Sequence, residues 1–336
     1  MIAGSIWRSV RIGQQDRLQL CNQLMIISTT RTIAQLPHLA VFLADSPNAV
    51  AGWGRKPSGR RAAWLSAMLR RPLVLLEDGF VRSVERHAPP LSLLIDDIGI
   101  YYDATRPSGM ERAISRGTNA DQALRARALT AQWRDRGISK YNHAADYAEA
   151  LPDRYVLVVD QTFGDLSVSC GLAGTESFTT MLDAALSENP NDLILVKVHP
   201  DIHSKAKKGY FPREALSHPR IRVIGIDCHC ATLIRDATAV YCVTSLMGFE
   251  AMLWDRPVRC FGMPFYAGWG LTQDELPRPT RRDHAALHDI VYASLIEIAR
   301  YVDPAHGIAL TAEQAIDHVS KGRAALLSSH PNSRPV

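Results

Sequence analysis

Nowhere does this sequence hold the ~20 consecutive apolar residues that a helix needs to cross a bilayer. Leu18 to Ile27 comes nearest, but it is short, carries polar residues and lacks the cleavage pattern of a secretory signal, so a cytoplasmic protein is expected. Charge of one sign is also scarce: 38 Lys and Arg stand against 34 Asp and Glu, a net of +4. So small an excess does not imply nucleic acid, though it suits anionic substrates or an anionic membrane surface. The six cysteines form no disulfide framework or zinc spacing. Cys228-His229-Cys230 looks metal-like but has no second ligand pair, so reduced structural thiols and no metal site are expected. Gly52-Trp53-Gly54 lacks the third glycine and the acidic residue of a dinucleotide fingerprint. Neither a solenoid-period repeat nor a low-complexity segment occurs.

What is present is a series of short apolar runs that end in polar residues. With 336 residues the chain suits two domains. Tyr155–Val159 and Leu193–Val198 read as strands buried on both faces, as in a parallel sheet. Between them, Phe178, Met181, Leu182, Ala185 and Leu186 fall at helical spacing, predicting a helix from Glu176 to Asn189. In open α/β sheets ligands bind beyond the carboxyl ends of the strands. Asp160 stands at one such end; Lys197, His199, Pro200 and Asp201 stand at the next. Alone, Asp160 would do as an Asx turn. Beside His199-Pro200 it marks a site.

The same logic extends along the chain. A strand at Leu24–Ser28, a helix through Phe42-Leu43 and a strand at Val50–Gly54 lead into Arg55 to Arg61, a basic loop before a helix at Ala62–Leu69. That loop reads equally as an anion site or as a solvated basic face. Pro72–Phe80 is a strand ending in the paired carboxylates Glu77 and Asp78, with Arg82 as the cation to offset them. Two strand-like pieces flank Asp96-Asp97. Ser108 reads as an N-cap with Glu111 as its capping-box partner, and a helix follows at Ala120–Arg136. Gly137 to Asp153 is a polar link. Further strands are expected at Ile221–Ile224, Ala239–Val243 and Pro257–Phe261, with a short helix at Cys230–Asp236. After the Ala239 strand, Thr244, Ser245 and Gly248 begin a helix in the manner of a phosphate cradle, with Glu250 one turn in, where a carboxylate suits a ribose diol. A simple N-cap explains Ser245 equally well on local grounds. Gly262 to Gly270 is an aromatic glycine loop, and helices are expected at Asp283–Tyr301 and Thr311–Leu327, with a mobile tail beyond them.

These pieces carry a resemblance. Trp53-Gly-Arg-Lys-Pro-Ser58, Leu76-Glu-Asp-Gly-Phe-Val-Arg-Ser83, the run from Pro89 to Ser108, Ser139-Lys140-Tyr141-Asn142, Val158-Val-Asp-Gln-Thr-Phe163, Val196-Lys-Val-His-Pro-Asp201, Thr244-Ser245 with Gly248 to Ala251, and Phe261 to Leu271 occur in one order. Over about residues 26 to 320 the chain resembles the bacterial capsule polysaccharide biosynthesis family of the KpsC type, the β-Kdo transferases. The best-known members carry two such modules, and this chain has one.

The resemblance implies an α/β chain of GT-B-like build, two Rossmann-like domains facing across a cleft, with C-terminal helices packing back. Residues 1–24 would be an extension, 25–145 the acceptor domain, 146–305 the donor domain, and 306–336 a final helix and tail. It implies a retaining glycosyltransferase that moves Kdo from CMP-β-Kdo to a Kdo-containing glycolipid, with no cofactor and no metal. Other capsule synthesis or export proteins are implied as partners, as is a place at the inner face of the inner membrane. Asp160 would be the nucleophile and Glu77 the base. His199 would contact the CMP phosphate, with Lys197 and Pro200 beside it. Thr244, Ser245 and Gly248 would hold CMP, Glu250 the ribose, and Arg82, Arg106 and Asp78 the acceptor side. Three rivals stand against this. One is an initiating transferase acting on phosphatidylglycerol. Another is a non-catalytic glycan-binding or scaffolding module. The third is a nucleotide-sugar epimerase on the same frame, which would bind UDP.

Overall fold

The structure, a computed structural model, describes residues 25–85, 88–198 and 207–329. The expected extension 1–24 and the residues His199, Pro200 and Asp201 lie outside the described residues.

The first half of the chain runs β1 (Ile27–Ser28), β2 (Val50–Trp53), helix α1 (Pro57–Leu69), β3 (Leu73–Asp78), β4 (Ser92–Asp96), α2 (Gly109–Arg116) and α3 (Ala120–Asp135). β1, β2 and β3 are parallel, and β4 turns antiparallel to β3. Helix α1 begins at Pro57, earlier than the expected Ala62, because proline's fixed φ suits a first helical turn. Ser108 caps α2 as expected, accepting from the Glu111 N–H at 3.1 Å. The Glu111 side chain does not close a capping box. It turns to Arg281 and Arg282 instead, where two guanidinium groups outbid one backbone N–H.

The second half runs β5 (Tyr155–Val159), α4 (Thr175–Glu188), β6 (Leu193–Lys197), β7 (Ile221–Ile224), β8 (Ala239–Cys242), α5 (Leu246–Leu253), β9 (Val258–Cys260) and β10 (Gln273–Asp274). All six strands are parallel, in the order β10-β9-β8-β5-β6-β7. This is a doubly wound sheet whose order reverses between β5 and β8, so its ligand crevice lies beyond their carboxyl ends. Tyr155 to Val158 have no exposed surface, as the unbroken apolar run requires.

The chain then returns. The expected Asp283–Tyr301 helix is instead a short α-turn at Leu287–Val291, a π-helical turn at Tyr292–Glu297, and a strand, β11 (Ala299–Val302). β11 pairs antiparallel with β4, and β12 (Ala309–Leu310) pairs with β11, so the first sheet reads β1-β2-β3-β4-β11-β12. Residues 299–302 therefore pair into the first sheet; the wider π turn reorients the backbone just before the pairing. Helix α6 (Ala312–Ser329) packs against α3 and β11. The α/β, GT-B-like class stands, with the first sheet half antiparallel.

One apolar cluster runs through both halves: Phe80 and Leu94 from the first join Tyr155, Phe249 and Phe265 from the second. Phe80 stacks on Phe265 with ring centroids 5.1 Å apart, and Tyr101 meets both rings edge-on. This shared aromatic floor sets the two sheets' carboxyl ends toward each other.

Candidate active site

A cavity of about 860 Å³ lies between those ends. From the first half it is lined by Lys56, Glu77, Asp78, Arg82, Tyr101 and Lys140, and from the second by Asp160, Gln161, Asp165, Lys197, Thr244, Ser245 and Glu250, among others. The two carboxylates singled out from sequence, Glu77 and Asp160, thus reach one cavity from opposite domains.

Asp160 follows β5 at the reversal of strand order and is 6% exposed. Its Oδ1 accepts from the Gln161 N–H at 2.8 Å and the Tyr210 N–H at 3.0 Å. Burial pushes its carboxyl up to about 6, and the N–H donors of Tyr210, Gln161 and Phe211 only partly oppose this. Tyr210 is itself fixed by stacking on Phe178, with ring centroids 4.0 Å apart. Glu77, at the end of β3, is also raised, chiefly by burial; Lys56 and Lys140 pull it back and Asp78 adds to the rise. Asp78 is offset by Arg82, whose Nε lies 3.2 Å from its Oδ2. Arg82 also donates to Ser83 Oγ and the Ala88 carbonyl, which fixes the guanidinium plane at the cavity wall.

Gln161 and Lys140 are among the cavity residues that the sequence did not single out. Gln161 Oε1 accepts from the Thr244 N–H at 2.9 Å, while its Nε2 donates to Thr244 Oγ1 at 3.0 Å. It thereby ties the end of β5 to the end of β8 across the strand reversal. Its place directly after Asp160 was the available signal. Lys140 faces Asp78, Glu77 and Asp165. Burial works against its ammonium, but Tyr141 and those carboxylates outweigh it and hold its pKa above the ordinary value. Nothing local in Ser139-Lys140-Tyr141 announces that placement.

Lys197 lines the cavity with its ammonium donating to the Val198 and Ile226 carbonyls, each at 3.0 Å. Ser245 caps α5, accepting from the Met247 N–H. Thr244 and Ser245 both face the cavity. Gly248 does not line it: a Cβ there would meet Tyr266 Oη at 2.2 Å and Cys242 Sγ at 2.6 Å, so the glycine serves close packing and not ligand approach. Arg106 is exposed and outside the cavity, its carbonyl accepting from Arg281. Arg281 and Arg282 both pair with Glu111. His229 is buried and bonded to Asn142, and burial lowers its pKa to about 4, which fits a structural role for the Cys228-His229-Cys230 run.

The Glu250 carboxylate, 2% exposed, accepts from Ser139 Oγ at 3.0 and 2.8 Å and from the Lys140 N–H at 2.9 Å. The carboxylate expected to take a ribose diol lines the cavity and is also held by the loop that carries Lys140, which folds back onto α5. Burial pushes its carboxyl up to about 7. A carboxyl raised on folding stabilises the folded state most fully below its ordinary pKa, and that contribution is lost as pH rises through 7. Glu250→Gln is expected to flatten the stability profile between pH 5 and pH 8 by on the order of 2 kcal/mol. Urea unfolding at both pH values measures this, and parallel wild-type and variant profiles would refute it.

Residues 48–125 and 117–301 match the sequence profile of a family described as capsule polysaccharide biosynthesis protein. The chain is 36% identical over 316 residues to the capsule polysaccharide modification protein LipA of Neisseria meningitidis serogroup B, covering 87% of this chain and 45% of that protein. It is 35% identical over 286 residues to the lipopolysaccharide-processing protein LpsZ of Rhizobium meliloti, covering 82% and 64%. The chain therefore spans about half the length of the first of these relatives and under two thirds of the second. Among solved structures it is similar to Thermosulfurimonas dismutans KpsC, beta Kdo 2,4 transferase, with TM-score 0.81 and 38% identity over 89% of this chain and 98% of that one. It is also similar to the beta Kdo 2,7 transferase of the same organism's KpsC, with TM-score 0.62 and 27% identity over 92% and 90%.

Proposed function

Because the chain belongs to the capsule polysaccharide biosynthesis family, we propose that it is a retaining β-Kdo glycosyltransferase that moves Kdo from CMP-β-Kdo to a Kdo-terminated glycolipid. The observation that carries this is the cavity itself, where a buried carboxylate at the strand reversal of one domain faces a second raised carboxylate from the other. Retention requires two displacements or a same-face attack, and two carboxylates suit the first route. Asp160 attacks the anomeric carbon; the bond from that carbon to the CMP phosphate oxygen breaks and CMP leaves with the electron pair. The acceptor hydroxyl then attacks the same carbon, Asp160 is released as carboxylate, and Glu77 takes the hydroxyl proton. A base with a raised pKa is the better proton acceptor near neutral pH. Thr244, Ser245 and Lys197 border the CMP side, and Arg82 and Lys140 supply cations for the carboxylate groups of Kdo. The cavity's own lysines and Arg82 meet the substrate charges, so no metal is assigned a role. Greater similarity to the 2,4 transferase than to the 2,7 transferase favours a 2,4 linkage.

The test is a transfer assay with CMP-Kdo generated in place, EDTA present, and lipid acceptors ending in zero, one or two Kdo residues. Addition of β-Kdo by NMR supports the reading; a preference for the acceptor without Kdo would make the enzyme an initiator. CMP binding without transfer to any acceptor would refute transferase activity for this chain by itself. Glu77→Gln is expected to slow turnover by about 10²- to 10³-fold, with a Kdo adduct accumulating on Asp160. Intact-mass spectrometry of the variant after donor alone checks this, and an unmodified protein with normal turnover would remove Glu77 from the mechanism.

A further inference from the structure

Helix α1 is built inside out. The side that meets the sheet consists of small residues: a Cβ on Gly59 would sit 1.9 Å from the Gly54 carbonyl oxygen, and one on Gly52 would sit 2.7 Å from Ala62 Cβ. The helix therefore lies almost on the backbone of β2, with Gly59 and Ala62 buried. Its large apolar residues face solvent instead, with Trp64 64%, Met68 55% and Leu69 43% exposed. Trp64 and Met68 stand one turn apart, with Arg60 one turn before Trp64 and Arg61 three residues before it, so the four share one outward stripe. From Pro57 to Arg71 there are four arginines and no acidic residue, an excess equal to the +4 of the whole chain. Arg71 is turned onto the carbonyls of Met25 and Asn48, while Arg60, Arg61 and Arg70 have no acidic partner among the described residues.

We propose that this face of α1 docks the protein on an anionic lipid bilayer. An exposed Trp and Met flanked by arginines is what an interfacial helix presents: the apolar side chains enter the acyl boundary and the guanidinium groups meet anionic headgroups. The uncompensated positive charge selects a phospholipid surface over a second copy of the chain, which would bring like charges together. Lys56, which precedes the helix, lines the cavity, so docking on α1 would set the cavity beside the bilayer. That last consequence rests on a lipid-linked acceptor as proposed above; the docking itself does not.

The experiment is flotation of the purified full chain with phosphatidylcholine vesicles that contain or lack phosphatidylglycerol, at low and high salt, with no donor or acceptor present. The wild type is expected to float with the phosphatidylglycerol vesicles and to dissociate at high salt. Trp64→Ser with Met68→Ser, and separately Arg60→Glu with Arg61→Glu, are expected to weaken binding at least tenfold. Both pairs are surface changes outside the cavity, and unchanged melting curves would show the fold retained. Absence of wild-type binding, equal binding to vesicles without phosphatidylglycerol, or unchanged binding of both variants would overturn the proposal. So would a dimer in sedimentation that the Trp64 and Met68 changes abolish. Because the readout needs no turnover, its failure is distinct from a failure of the transferase reading.

Discussion

Replacing Asp160 with asparagine is expected to lower Kdo transfer by at least about 10³-fold, on the order of 4 kcal/mol in the barrier, while leaving CMP bound. Asparagine has nearly the same shape and keeps an oxygen for the Gln161 and Tyr210 N–H groups, so the β5 terminus should hold its conformation. What it loses is the nucleophile. A pH profile adds a readout that a structural role would not move. With the Asp160 carboxyl pushed up to about 6 by burial, the attacking carboxylate forms only as pH rises through that value. kcat/KM should therefore fall tenfold per unit below pH 6, and the residual activity of Asp160→Asn should lack this limb. Should Asp160→Asn keep a tenth of wild-type turnover, or show the same acid limb, Asp160 is not the nucleophile.

The second sheet was largely legible from residues alone. Tyr155–Val159 and Ile221–Ile224 were expected and observed with the same bounds; the first is covered on both faces and so leaves a continuous apolar run, and the second is an edge strand with Arg222 and Val223 exposed. Placing Asp160 and Thr244 at carboxyl ends then required only the rule that ligands bind there. The return of the chain was not legible. Ala299–Val302 contains an arginine and only four residues, and its partner β4 lies some two hundred positions earlier, so nothing local separates it from the helix expected over Asp283–Tyr301. Glu111 and Glu250 have partners that no local rule shows. Each sits where a local rule assigns it a role, a capping box in one case and a ribose contact in the other. Each is bound by a segment more than a hundred residues away, Arg281-Arg282 and Ser139-Lys140. Carboxylates that join two domains are invisible to any rule about neighbours in sequence.

That inter-domain use of charge sets the largest expected loss of stability. Arg282 is 3% exposed, and its Nε donates to Glu111 Oε1 at 2.6 Å while Nη1 donates to the Pro264 and Ala267 carbonyls at 2.7 and 2.8 Å. The guanidinium also lies 5.7 Å from the centre of the Trp269 ring. Arg282→Met keeps much of the volume but takes the guanidinium from the buried Ala267 carbonyl and leaves Glu111 with Arg281 alone, while the Pro264 carbonyl keeps the Ala267 N–H at 3.1 Å. Breaking a buried pair in this way costs roughly 3–5 kcal/mol, which chemical denaturation will read as a lower midpoint. Arg282→Met combined with Glu111→Leu should cost less than the two single changes summed, since neither buried member of the pair is then stranded and only the half-buried Arg281 loses its partner. The loss should also reach the chemistry. Pro264, Phe265 and Tyr266, in the loop whose carbonyls Arg282 holds, line the cavity, and Phe265 is the ring stacked on Phe80 between the domains. An Arg282→Met protein with a wild-type midpoint would mean that the aromatic floor alone holds the loop. One with a lowered midpoint and reduced transfer below its transition would show that the cavity wall depends on a charge pair more than a hundred residues apart in sequence.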